Sequence, residues 1–98
     1  MRVSDFMASY AAEIIERIEK DVFTSRDFIW QLMLEHELEY IQLLNDQNTE
    51  HPIWDVHKLI GRYLSEHSGE LRIASTGEKK RDLSPFGKGS ATEIWRKI

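Results

Sequence analysis

Cysteine is absent from the 98 residues, which excludes disulfides, thiolate metal sites and cysteine nucleophiles and fits a reducing compartment. Long apolar runs are absent as well. The N-terminal stretch is interrupted by Asp5, Glu13, Glu16 and Arg17, so it offers neither a signal-peptide core nor a membrane span. The expectation is a cytoplasmic protein with no membrane partner. Signatures of common chemistries are missing too. No serine elbow, P-loop or dinucleotide fingerprint occurs, and GEKKRD and FGKGS lack the spacing of a phosphate cradle. His36-Glu37 has no second histidine where the zinc-protease pattern needs one, and His51 and His57 lie six apart, on different sides of a helix. Glu13/Glu16 and Glu35/Glu37/Glu39 are paired carboxylates on faces that read as solvated. No catalytic centre, metal site or cofactor is therefore expected.

What is present is ordinary globular material. Hydrophobic residues make up 41% and charged residues 31%, and the ten aromatics supply large side chains for one core, consistent with a single domain over residues 1–98. Net charge is −4, which argues against general nucleic-acid affinity, but the charge is unevenly placed. Residues 1–50 carry 4 Lys/Arg against 11 Asp/Glu, whereas residues 51–98 carry 9 against 6. The pattern is that of an acidic scaffold joined to a more basic working half.

Apolar periodicity predicts a helix over about Ser4–Lys20, with Phe6, Tyr10, Ile14 and Ile18 on one face and Ser4 or Asp5 as its cap. Thr24 and Asp27 have capping-box spacing, flanked by Phe23 and Phe28 as a hydrophobic staple. The following FIWQLMLEHELEYIQLL is apolar on two sides. Ile29, Met33, Tyr40 and Leu44 form one line, and Trp30, Leu34, Leu38 and Ile41 form another, as for a helix packed between neighbours. The polar triplet at 35–37 leaves open whether residues 24–46 form one helix or two. NDQNTEHP reads as a turn, and Pro52 suits the start of a helix over His51–His67. Its core stripe is Ile53, Val56, Ile60 and Leu64. Gly61 inside that helix costs about 1 kcal/mol against Ala, a cost that close packing would explain, and Ser68-Gly69 is the expected stop. From Leu71 the period shortens: LRIAS and ATEIWRKI read as two strands joined by a glycine-rich connection.

Helices followed by a two-stranded hairpin resemble the winged helix-turn-helix family. The segments that carry the likeness are FTSRDFIWQLML, HPIWDVHKLIGRYLSEHS and LRIASTGEKKRDLSPFGKGSATEIWRKI. The implied fold is α+β, with three or four helices followed by a C-terminal hairpin wing. The resemblance implies a DNA-binding, regulatory role, in which the 51–67 helix enters the major groove and the wing at 77–90 follows the backbone. Carried over, Lys58 and Arg62 would face DNA from the helix, and Lys79, Lys80, Arg81 and Lys88 from the wing. Against this, Asp55 and Glu66 share the helix's solvent side, and Glu78 and Asp82 bracket the basic triplet. Each feature has a plainer reading: a solvated loop for residues 79–81, and a wet helix face with an Arg62–Glu66 pair for the helix. Of the three tryptophans, Trp30, Trp54 and Trp95 fit a core or its border, with Trp54 placed to meet a partner. Trp95 suits either packing or self-association. The second reading of the chain is accordingly a non-catalytic protein–protein adaptor or dimerisation module on the same fold.

Overall fold

The computed structural model describes residues 1–83 and 89–98, with side chains described outside 82–90. Helix α1, Val3–Arg17, buries Val3, Phe6, Met7, Ala11, Ile14 and Ile15 on one face. Neither Ser4 nor Asp5 caps it. The helix starts at Val3 with Arg2 in the cap position, ahead of both, and Asp5 instead sits in the first turn, where a carboxylate meets the positive end of the helix dipole. A strand absent from the periodicity reading follows, β1 at Val22–Thr24. Helix α2, Ser25–Glu35, opens on the capping box: the Thr24 hydroxyl accepts from the Asp27 amide, and the Asp27 carboxylate accepts from the Thr24 amide, each at 3.0 Å. Partial burial pushes the Asp27 carboxyl up, but the Thr24 amide and the Lys20 ammonium outweigh it and hold the group below its ordinary value.

His36 breaks the next segment. Its φ of −130° and ψ of 51° stop α2, and α3 begins afresh at Glu37–Asp46. The imidazole lies against Tyr10 and Phe6 of α1, with ring centroids 4.5 and 5.5 Å away. Residues 24–46 are thus two helices, not one. Only one of their two apolar lines is packed. Of the first line, Ile29 and Tyr40 are buried and Met33 and Leu44 partly so, beside buried Phe28, Leu32 and Leu43, which belong to neither line, whereas Trp30, Leu34, Leu38 and Ile41 are exposed. The expectation of a helix enclosed on both sides, with Trp30 at the core, is corrected: no described element covers the outer line.

Helix α4, Pro52–Glu66, takes Pro52 in its first turn and buries Val56, Ile60 and Leu64 completely. Ser68-Gly69 does not end the helical region. After His67, whose ring stacks on Tyr63 at 4.0 Å, the chain makes one more turn, α5 at Ser68–Leu71, and leaves it through Arg72 in the left-handed conformation (φ 56°). Strand β2 therefore begins at Ile73, two residues later than expected, and runs to Leu83; β3 is Gly89–Lys97.

All pairings in the sheet are antiparallel, in the order β1-β3-β2. Trp95 stands opposite Phe23 on one side and Ser75 on the other. Both aromatics are buried, and the Trp95 indole donates to the Ser25 hydroxyl at 2.9 Å, tying the sheet to the start of α2. Trp95 is thus a core residue, held by α2 and the sheet. In β2 the register shifts between Ser75 and Lys79, so that Thr76, Gly77 and Glu78 face Ile94 alone. Gly77 supplies the positive φ (80°) that such a bulge accommodates. One hydrophobic cluster joins the helices to the sheet, with Phe6, Phe23, Phe28, Leu32, Leu43, Ile60, Leu64 and Ile73 fully enclosed.

Candidate functional site

The face of α4 turned away from the core forms one wall of an open groove of about 500 Å³. Trp54, Lys58, Gly61 and Ser65 recur along it at four-, three- and four-residue steps, a single stripe on a 3.6-residue helix. The hairpin supplies Lys79, Ala91 and Glu93, and the start of α2 supplies Ser25 and Arg26. The buried side chains of Ile29, Thr92 and Trp95 line it from the core side. The core thus holds α4 and the hairpin in fixed relation, with a cation from each facing the same space.

Lys58 is therefore a groove residue. Arg62 is not: it lines a separate depression with Arg2, Asp46, Leu59, Tyr63 and Glu66, towards the start of α1. Four residues advance a helix by 40° beyond a full turn, and at this position that rotation carries the side chain over the shoulder of α4. The two cations expected on one surface are thus divided between two. No Arg62–Glu66 ion pair forms. Asp55, expected to oppose an incoming anion, is half-buried and accepts a 2.6 Å hydrogen bond from the Thr49 hydroxyl, outside the groove lining.

The basic triplet is not a loop tip. Lys79, Lys80 and Arg81 lie within paired strand β2, opposite Glu93, Thr92 and Ala91. Alternation along a strand places Lys79 and Arg81 on one face and Lys80 on the other. All three are exposed, and none of them, nor Lys58, forms an ion pair with a described residue. Lys88 lies outside the described residues. Glu93 is the acid facing the groove, and its carboxylate is engaged by the Ser75 hydroxyl.

His57, also in the groove lining, has its Nε2 2.8 Å from the Tyr40 hydroxyl. Burial, and then the nearby Arg26 guanidinium, hold its pKa below the ordinary histidine value. Burial pushes the Tyr40 phenol up. The pair is accordingly a neutral bridge between α3 and α4. Among the described residues no three of His, Asp or Glu converge as metal ligands, and none of their helices is long and apolar enough to cross a membrane.

Periodicity missed Arg26, Gly61, Ser65 and Thr92 as groove residues. Arg26 follows the Thr24 cap without any signal of its own. Gly61 carries one, as a mid-helix glycine, but the close packing that its cost suggests is not there. A Cβ at that position meets nothing within 4 Å. Searches of family models, of curated proteins and of solved structures give no match to this chain.

Proposed function

We propose that this chain is a winged-helix domain that binds duplex DNA in the groove between α4 and the β2–β3 hairpin, acting in the cytoplasm as a non-catalytic regulator. The observation that carries the reading is the placement of Lys58 and Lys79 on facing walls of one groove, both without an ion-pair partner among the described residues. An unpaired ammonium exchanges only water and counterions when it meets a phosphate, and counterion release is the main sequence-independent driving force for binding DNA. The position of the hairpin directly after the last long helix supports the resemblance to winged helices. A helix about 10–12 Å across with its side chains matches a major groove about 12 Å wide. Exposed Trp54 and Lys58 on the first half of α4 would meet bases and backbone, and Lys79, Lys80 and Arg81 along β2 would follow phosphates. Arg62, around the shoulder, contributes less.

Gel retardation with a mixed-sequence duplex tests this. Retardation is expected at low salt, weakening by orders of magnitude between about 50 and 200 mM. Lys58→Ala and Lys79→Ala each weaken binding to every sequence and reduce the slope of log K against log salt by about 0.9 per lost phosphate contact. Arg62→Ala has the smaller effect. Absence of retardation at tens of micromolar protein in low salt, or parental binding by both lysine variants, overturns the reading.

A further inference from the structure

Eight large apolar side chains are exposed among the described residues. Four are scattered: Met1 and Ile98 at the ends, Val22 on β1 and Trp54 in the groove. The other four, Trp30, Leu34, Leu38 and Ile41, follow one another at helical steps along α2 and α3, and Leu34 and Leu38 are 74% and 79% exposed. Single exposed leucines need no explanation, but a succession of large apolar groups on one helical face marks a surface that meets something.

Charge narrows what that is. Between Arg26 and Lys58 the chain carries seven Asp/Glu and no Lys or Arg. Glu37, directly before Leu38, is exposed. At the other end Trp30 shares a depression with Arg17 and Lys20, but both cations are already engaged, Arg17 by Glu13 and Glu35 and Lys20 by Asp27.

We propose that this face of α2–α3 docks an amphipathic helix of a protein partner, one whose apolar stripe is bordered by Lys or Arg. Such a helix presents apolar groups at three- and four-residue intervals, the spacing found here; Asp27, Glu35 and Asp46 are already met by Lys20, Arg17 and the N-terminal ammonium, and its cations answer Glu37 and Glu39, which flank Leu38 and have no Lys or Arg partner among the described residues. A second copy of this chain fits poorly. A two-fold interface sets each patch against itself and brings no free cation to Glu37 and Glu39, because the cations beside Trp30, Arg17 and Lys20, are already engaged by Glu13, Glu35 and Asp27. An anionic membrane surface is repelled by the same two acids. The face contains none of the DNA-facing lysines, so the proposal stands or falls separately from the DNA reading.

The test is calorimetric titration of the full chain with a synthetic amphipathic helical peptide of Leu and Lys, beside the same peptide with Glu replacing Lys. The Lys peptide is expected to bind and the Glu peptide not to. The double variant Leu34→Gln/Leu38→Gln leaves net charge unchanged and uses a residue of similar helix propensity. It is expected to bind the Lys peptide at least about tenfold more weakly, with an unaltered helical circular dichroism spectrum. Equal affinity of the double variant would reduce the effect to bulk charge and overturn the proposal. So would equal binding of the Glu peptide, or a parental dimer in sedimentation that the double variant lacks. If the double variant does not fold, Glu37→Lys decides: it weakens the Lys peptide and strengthens the Glu peptide if the proposal holds, and unchanged affinities overturn it.

Discussion

Gly61 lies in the middle of α4, borders the groove and has open space where a Cβ would be. No contact with a described residue and no positive φ requires glycine there, so the helix carries its cost of about 1 kcal/mol without return in stability. The proposed occupant of the groove supplies a reason, because a bare backbone permits close approach. Gly61→Ala is expected to raise stability by up to about 1 kcal/mol in denaturant unfolding. Gly61→Phe is expected to fold and to lose DNA affinity by filling the groove. A Phe variant that folds and retards DNA as the parent does removes glycine's role. His57 gives a second test at this scale. Its folded pKa lies below the ordinary 6.5 because the imidazole is buried and faces Arg26. As pH falls through 6.5 the unfolded chain takes up a proton that the folded chain refuses. The stability contributed by neutral His57 is thus complete above 6.5 and drains away as pH falls towards and through the lower folded value. Urea midpoints measured from about pH 7.5 down to about pH 5 should fall accordingly. His57→Gln should flatten that part of the profile, and an unchanged slope in the variant would sink the assignment.

Among the elements, the join between β1 and α2 concentrates the most consequence in the fewest residues. Thr24 ends the strand opposite Ile94 and caps the helix through its hydroxyl. Thr24→Ala leaves the Asp27 amide without its acceptor and is expected to cost about 1 kcal/mol, seen as a drop in melting temperature of about 4–8 °C. A melting temperature within a degree of the parent's would show that the capping box is decorative. The same element was half legible in advance. Thr24, Asp27 and the two flanking Phe residues announced the helix start because capping is local chemistry, satisfied within four residues. The three residues of β1 announced nothing, because so short a strand exists only through its pairing with β3, some seventy residues away in the chain. The hairpin shows the same division. Its two strands were readable from composition, but the bulge at Thr76–Glu78 was not. Locating the lysines within the ladder, and dividing them between its faces, depended on that bulge.

Over the whole molecule, charge and exposed apolar surface are assigned to different parts. Lys58 of α4 and Lys79 of β2, without an ion pair to a described residue, face the groove, whereas exposed Glu37, beside Leu38, borders the open apolar line of α2–α3. The small net charge of −4 conceals this arrangement. A domain built in this way can present one surface to a polyanion and another to a basic partner, and each can be disabled without touching the other. The lysine variants address the first surface and the leucine-to-glutamine variant the second, so the two readings are separable in one protein.

By itself the sequence determined α1, α4 and the start of α2, the capping box and the presence of a C-terminal hairpin, but neither the break at His36 nor the turn α5. Each feature so determined follows from periodicity, propensity or hydrogen bonding over a few neighbouring residues. It left the exposed side of α2–α3 indistinguishable from a second buried side, because a leucine at helical spacing reads alike whether or not another element covers it. It also grouped Lys58 with Arg62, and residues 79–81 with a loop. Which cations share the groove with α4 was decided only by the tertiary structure, through the rotation at which Val56, Ile60 and Leu64 lock α4 into the core and through the register of β2 against β3. Core packing fixes that rotation and strand pairing fixes that register. Both are set by residues remote in the chain.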